Sequence, residues 1–117
     1  MTGAVEVPVV GRLEARLRDA RDRGRKLLVP YVTGGLPGWE RVVEACAAAG
    51  ADTIEVGIPF SDPVMDGPTI QEASERALRA GATPPAIVDG LARLDTGGVP
   101  LVVMTYYNVV FRQGHER

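Results

Sequence analysis

The residues best suited to do chemistry in this chain gather in one stretch, Glu55 to Gln71, EVGIPFSDPVMDGPTIQ. Period-two alternation puts Thr53, Glu55 and Gly57 on one face of an apolar strand, with Ile54 and Val56 on the other. Glutamate is depleted in strands and rarely buried without a partner, so this carboxylate is expected to be partly desolvated, as a general acid or base requires. The alternative is a strand carboxylate on a wet edge. Asp66 stands before Gly67-Pro68, where aspartate commonly caps the following helix. Asp62, in Ser61-Asp62-Pro63, has the pattern of a turn initiator. Position favours more than capping, because the loop leaves the C-terminal end of a strand, where parallel α/β folds bind ligands.

Two further runs supply apolar surface. Alternation places Val29, Tyr31 and Thr33 on one face of the first, and Val102, Met104 and Tyr106 on one face of the other. If both faces look toward Glu55, then Tyr31, Met104 and Tyr106 surround it with flat surface suited to an aromatic ligand; otherwise they are plain core. Cys46 is the single cysteine and lies in an apolar stretch, so it reads as a buried thiol, with no internal disulfide and no multi-cysteine metal site. His115 reads as a solvent-exposed residue near a terminus, and no Ser/His/Asp or Cys/His set assembles around it. Gly34-Gly35 and Gly97-Gly98 fit neither a dinucleotide nor a P-loop fingerprint. No metal site is expected.

The elements that must position these residues follow from periodicity. Leu13, Ala15, Leu17 and Ala20 among charges give a surface helix ended by Gly24. Leu27 to Thr33 reads as a strand, although Pro30 removes a ladder donor. Val42, Val43, Cys46 and Ala47 mark a helix stopped by Gly50, and a strand from Asp52 to Gly57 follows. Pro68 suits the first position of a helix whose stripe is Ile70, Ala73, Ala77 and Leu78. Thr83 starts another, with Ile87, Val88, Leu91 and Leu94 inward. Val99 to Tyr106 is a third strand. Nearly all-apolar strands separated by helices indicate βαβ units and a parallel α/β sheet, open or closed into a barrel.

Composition excludes several classes of function. The 117 residues are 45% apolar and 24% charged, with a net charge of −2. No basic footprint for nucleic acid exists, and no run reaches the roughly 18 apolar residues of a membrane span. The N-terminus lacks a secretory pattern, so a cytoplasmic location is the default expectation.

EVGIPFSDPVMDGPTIQ closely resembles the active-site strand and loop of the tryptophan synthase α-subunit family. Val29-Pro30-Tyr31-Val32-Thr33 resembles the family's first strand, Ala49-Gly50-Ala51-Asp52 the lead into its second, and Met104-Thr105-Tyr106-Tyr107-Asn108 the end of its third. The resemblance implies a (β/α)8 TIM barrel, of which residues 1–117 would be the first three βα units of a single domain and no second domain. It implies retro-aldol cleavage of indole-3-glycerol phosphate to indole and glyceraldehyde 3-phosphate. Glu55 would be the general acid/base, and Asp66 would hold the indole N–H and stabilise its developing charge. Tyr31, Thr33, Met104 and Tyr106 would line the substrate site. Pro59, Phe60 and Asp62 would face a β subunit in an α2β2 heterotetramer. No cofactor is expected here; pyridoxal phosphate would belong to the β subunit.

Two departures stand out: the helix after Pro37 is about one turn short, and Leu36 occupies a position that is often acidic. Such barrels run to about 250 residues, and the family's phosphate loops follow later strands, so the chain alone is expected to lack turnover. Two other readings fit the pattern: a non-catalytic βα module that binds a β-type partner, and another phosphate-sugar barrel enzyme. The latter predicts a different loop after the second strand than Pro59-Phe60-Ser61-Asp62-Pro63.

Overall fold

Strand β2, Ile54–Gly57, runs through the middle of a three-stranded parallel sheet in the order β1-β2-β3, in a computed structural model that describes residues 10–114. Its neighbours are β1, Tyr31–Thr33, and β3, Leu101–Met104. The helices are α1 (Arg12–Asp22), α2 (Trp39–Ala48), α3 (Pro68–Arg79), α4 (Pro84–Arg93) and α5 (Tyr107–Gln113). The expected alternation of strands and helices is therefore present, with the expected parallel pairing. His115 lies outside the described residues.

Both outer strands are shorter than expected, and proline is the reason. Pro30 and Pro100 have no N–H to donate, and each stands immediately before the first ladder residue of its strand. Their carbonyls still accept: Glu55 N–H donates to Pro30 O at 2.9 Å and Ile54 N–H to Pro100 O at 3.2 Å. Leu27, Leu28 and Val29, expected within the first strand, are exposed. At the other end, Tyr106 turns out of β3 to become the N-cap residue of α5, a helix that periodicity did not anticipate.

Side chains divide cleanly across β2. Ile54 and Val56 are fully enclosed, and they join Trp39, Val43, Ile58, Ile87, Val99 and Val109 in the core beneath the helices. Each such aliphatic side chain contributes about 1.5–3 kcal/mol through burial. Trp39 reaches α4 only because position 90 is glycine: a Cβ there would lie 2.8 Å from the indole ring. Val88, expected to point inward, and Val42, part of the apolar spacing of α2, are each 49% exposed. One residue is 100° of helical arc, so with Val43 and Ile87 as the buried positions their neighbours turn outward. Cys46 is half-buried against the core rather than enclosed. Pro68 stands at the start of α3, and Thr83 caps α4 by accepting from Ala86 N–H at 3.3 Å, both as the sequence indicates.

Below β2, Asp52 and Thr53 tie the sheet together. Asp52 is buried; its Oδ2 accepts from Leu28 N–H at 2.8 Å and its Oδ1 is paired with Arg25. Thr53 donates to Pro100 O at 2.8 Å. The Asp52–Arg25 pair is lopsided, with side chains 3% and 57% exposed respectively, so most of the dependence rests on the carboxylate. Asp52→Ala is expected to lower stability by about 2–3 kcal/mol, the cost of an unmade charged hydrogen bond, and Arg25→Ala by less than about 1 kcal/mol. Urea denaturation of both variants checks this, and equal losses would refute the asymmetry.

Candidate functional site

The site forms at the C-terminal ends of the three strands. Register places Tyr31, Glu55 and Val102 in one row and Thr33, Gly57 and Met104 in the next, all on the face away from the helix-covered core. Above the second row opens a cavity of about 460 Å³, with Tyr31, Gly57, Met65, Asp66, Met104 and Tyr106 in its wall. Gly57 is required there because Tyr31 lies over it. A Cβ at position 57 would fall 1.9 Å from the Tyr31 hydroxyl oxygen.

Asp66 does not cap α3, as position alone suggested. Gly67 is the N-cap and no side chain accepts from the first turn. The Asp66 carboxylate turns instead toward β3, where Oδ2 accepts a hydrogen bond from the Tyr106 hydroxyl at 3.2 Å. The same hydroxyl accepts from Met65 N–H at 2.9 Å, and the Tyr106 ring stacks on Phe60 with centroids 5.0 Å apart and an interplanar angle of 28°. From the opposite side Gln71 Nε2 donates to Asp66 O at 2.7 Å and to Pro63 O at 3.3 Å. The loop between β2 and α3 is thus held from both flanks, with one carboxylate of fixed position on the cavity wall.

The other predicted residues separate. Glu55 is half-buried beside Tyr31, one strand row below the cavity floor, and is not among the residues lining the cavity. Thr33 is buried, its hydroxyl donates to the Tyr31 hydroxyl at 3.4 Å, and it is not among the residues in the wall of this cavity. Pro59, expected at a subunit surface, is buried, and Phe60 is half-buried in its stack on Tyr106. The loop residues that remain outward include Ser61, Asp62, Val64 and Met65. Sequence reasoning missed Met65, Ser74 and Thr105 in the cavity wall. Ser74 carried a usable signal, as the polar member of an otherwise small or apolar helix face.

Electrostatics converge on Tyr31. Burial pushes its phenol above the ordinary value of 10.0, the Thr33 hydroxyl opposes that rise, and the negative charges of Asp66 and Glu55 add to it. Both carboxylates therefore act on the Tyr31 phenol. Among the described residues no group of His, Cys, Asp or Glu converges in a way that could hold a metal ion. A second cavity, about 390 Å³ between α4 and α5, is walled by Ile58, Pro84, Pro85, Val88 and Val109 with Asp89 as its one acidic residue. It lacks the paired polar groups of the first.

Comparison with known proteins points the same way. A family model described as tryptophan synthase alpha chain matches residues 17–117. The tryptophan synthase alpha chain of Nitratidesulfovibrio vulgaris (strain Hildenborough) is 51% identical over 113 residues, covering 91% of this chain and 43% of the relative. That of Citrifermentans bemidjiense is 47% identical over 112 residues, covering 92% and 42%. The chain thus spans about two-fifths of the length of the curated relatives it matches. Among solved structures, tryptophan synthase from M. tuberculosis in its aminoacrylate-bound form is 38% identical with a TM-score of 0.82, covering 91% of this chain and 44% of that one. The tryptophan synthase alpha subunit of Legionella pneumophila str. Paris is 34% identical with a TM-score of 0.78, covering 90% and 42%. The three βα units accordingly have the fold of part of a TIM barrel.

Two outcomes are expected at this site. Tyr106→Phe keeps the ring stack and removes the hydroxyl, so Met65 N–H should exchange with solvent roughly fivefold faster, as the loss of about 1 kcal/mol of hydrogen bonding requires; unchanged exchange by NMR would deny the clasp. Tyr31, with its folded pKa raised, contributes stability that is present below the ordinary tyrosine value and is lost as pH rises through the folded value. An ultraviolet tyrosinate titration should show a component ionising above pH 10, the range implied by the upward shift, and Tyr31→Phe should remove it.

Proposed function

Because the chain belongs to the tryptophan synthase alpha chain family, we propose that its cavity receives the indole ring of indole-3-glycerol phosphate for retro-aldol cleavage to indole and glyceraldehyde 3-phosphate. The observation that carries this reading is the Asp66 carboxylate, fixed by Tyr106 on the wall of a cavity whose other surfaces are Tyr31, Gly57 and Met104. A flat aromatic slot beside one oriented acceptor suits a ring that carries a single N–H.

The roles divide by height in the sheet. Asp66 accepts from the indole N–H and stabilises the positive charge that develops there when the ring carbon is protonated. Glu55, one row deeper, is the group that delivers the proton and takes one from the glycerol hydroxyl. Its half-buried carboxylate has no hydrogen-bond partner among the described residues that would tie it away from this work. Tyr31, Met104 and Tyr106 flank the ring. Residues 1–117 serve as the N-terminal part of a single barrel domain, and the phosphate is held by groups beyond these βα units.

The subunit needs no cofactor for this chemistry, and pyridoxal phosphate belongs to the partner β subunit of a cytoplasmic α2β2 heterotetramer. No helix among the described residues is long and apolar enough to cross a membrane. Asp62, Val64 and Met65 belong to the outward part of the loop, with Val64 71% and Met65 84% exposed, which supports contact with that partner.

A chimera tests the reading. Residues 1–117 fused to the remaining barrel of the N. vulgaris relative should release indole from indole-3-glycerol phosphate, whereas the 117-residue chain alone should not. In the active chimera, Glu55→Gln should reduce kcat by at least about a hundredfold, the lower range for removing a general acid/base, with the circular dichroism spectrum unchanged. Retained turnover would remove Glu55 from the mechanism, and indole release by the isolated chain would overturn its dependence on further units.

A further inference from the structure

Helix α3 carries a polar side chain that neither the fold nor the mechanism uses. Ser74 is 5% exposed, and with Ala77 it makes up the buried face of the helix. A serine in that setting ordinarily donates to the carbonyl four residues before it. Ser74 instead has no side-chain hydrogen-bond partner among the described residues.

Its oxygen is nonetheless not sealed away. Among described side chains, Arg16 Nε is the fully enclosed polar atom without a partner, and Ser74 Oγ is not of that kind. Ser74 also stands in the wall of the cavity that holds Asp66, Tyr31 and Tyr106, and its oxygen keeps some of the residue's small exposure. Gln71, one helical turn earlier on the same face, is already spent on the carbonyls of Pro63 and Asp66. The neighbouring hydroxyls are likewise engaged: Thr105 donates to Tyr106 O at 3.3 Å, and Tyr106 donates to Asp66. Ser74, among the described residues, brings to this wall a hydroxyl with no hydrogen bond of its own.

When a flat ring fills such a cavity, water leaves and an unpaired hydroxyl is left at a cost, unless the ligand brings its own polar group. A serine hydroxyl both donates and accepts, so its best complement is another hydroxyl. We propose that Ser74 is a ligand-contacting residue that selects, among indole-type rings, those bearing a hydroxylated side arm. The proposal rests on the aromatic-ring reading of the cavity given above.

Two probes isolate the hydroxyl: indole-3-propanol and 3-propylindole, which share ring and arm and differ in the terminal oxygen. The full chain should bind indole-3-propanol about tenfold more tightly than 3-propylindole in NMR titrations, the scale of one well-made hydrogen bond. Ser74→Ala and Ser74→Cys should both erase that preference while leaving 3-propylindole affinity within about twofold, since cysteine keeps the volume but is a weak donor and acceptor. A preference that survives in either variant, or equal weakening of both probes, overturns the assignment to the Ser74 hydroxyl. Equal binding of the two probes by the unaltered chain overturns it too, yet leaves the aromatic reading standing. Failure of the unaltered chain to bind either probe overturns both.

Discussion

Everything at the open end of the sheet depends on how its other end is pinned. Asp52 and Thr53, at the entrance to β2, reach sideways to both neighbours: Asp52 takes the Leu28 N–H and pairs with Arg25, and Thr53 donates to Pro100 O. The outer strands are entered through Pro30 and Pro100, residues that accept from β2 but cannot donate back. Side-chain bonds from the middle strand supply what those prolines withhold. In a parallel sheet a slip of one residue would exchange the two faces, sending Glu55 into the helix-covered core and Val56 toward the cavity. The pin is structural, yet it decides which residues can meet a ligand.

Given that register, the site assembles in layers. The row of Tyr31, Glu55 and Val102 lies under the row of Thr33, Gly57 and Met104. Glycine in the second row leaves room for the Tyr31 ring to fold over it, and the Thr33 hydroxyl donates to the hydroxyl of that ring. The loop then closes one side of the cavity, because Tyr106 binds it three ways: a ring stack on Phe60, acceptance from Met65 N–H and donation to Asp66. A loop rich in proline and exposed apolar residues would otherwise have few internal bonds to define it. The backbone of Met65 and the carboxylate of Asp66 are thus held by the same tyrosine, so the outer and inner sides of the loop share one mechanical element.

Much of this was legible before any coordinates. Alternation across Thr53 to Gly57 assigns Glu55 and Ile54 to opposite faces, and the structure agrees, because the pleat is a local property of the backbone. Pro68 at the start of α3 and Thr83 as the cap of α4 are read from single residues and their neighbours for the same reason. The family resemblance rested on contiguous motifs, and the match over residues 17–117 bears it out. Rotational detail was less secure. Val88 looked inward by spacing and faces outward by packing, since a helix with adjacent apolar residues can offer only one of them to the core, as Val42 beside Val43 also shows.

The sequence by itself therefore determined the alternation of strands and helices up to β3, the two faces of β2 and the family. Tertiary structure decided where the Asp66 carboxylate turns, that the Ser74 hydroxyl has no hydrogen-bond partner among the described residues, and which part of the loop remains outward. Asp66 and Tyr106 are 40 residues apart, and no local pattern links them. A cap is a short-range bond whose partners are fixed by chain position; a hydroxyl brought from another strand depends on register, twist and the path of the intervening helices. Local preference left Asp66 two ways to be satisfied, and packing chose the one that turns it toward the cavity.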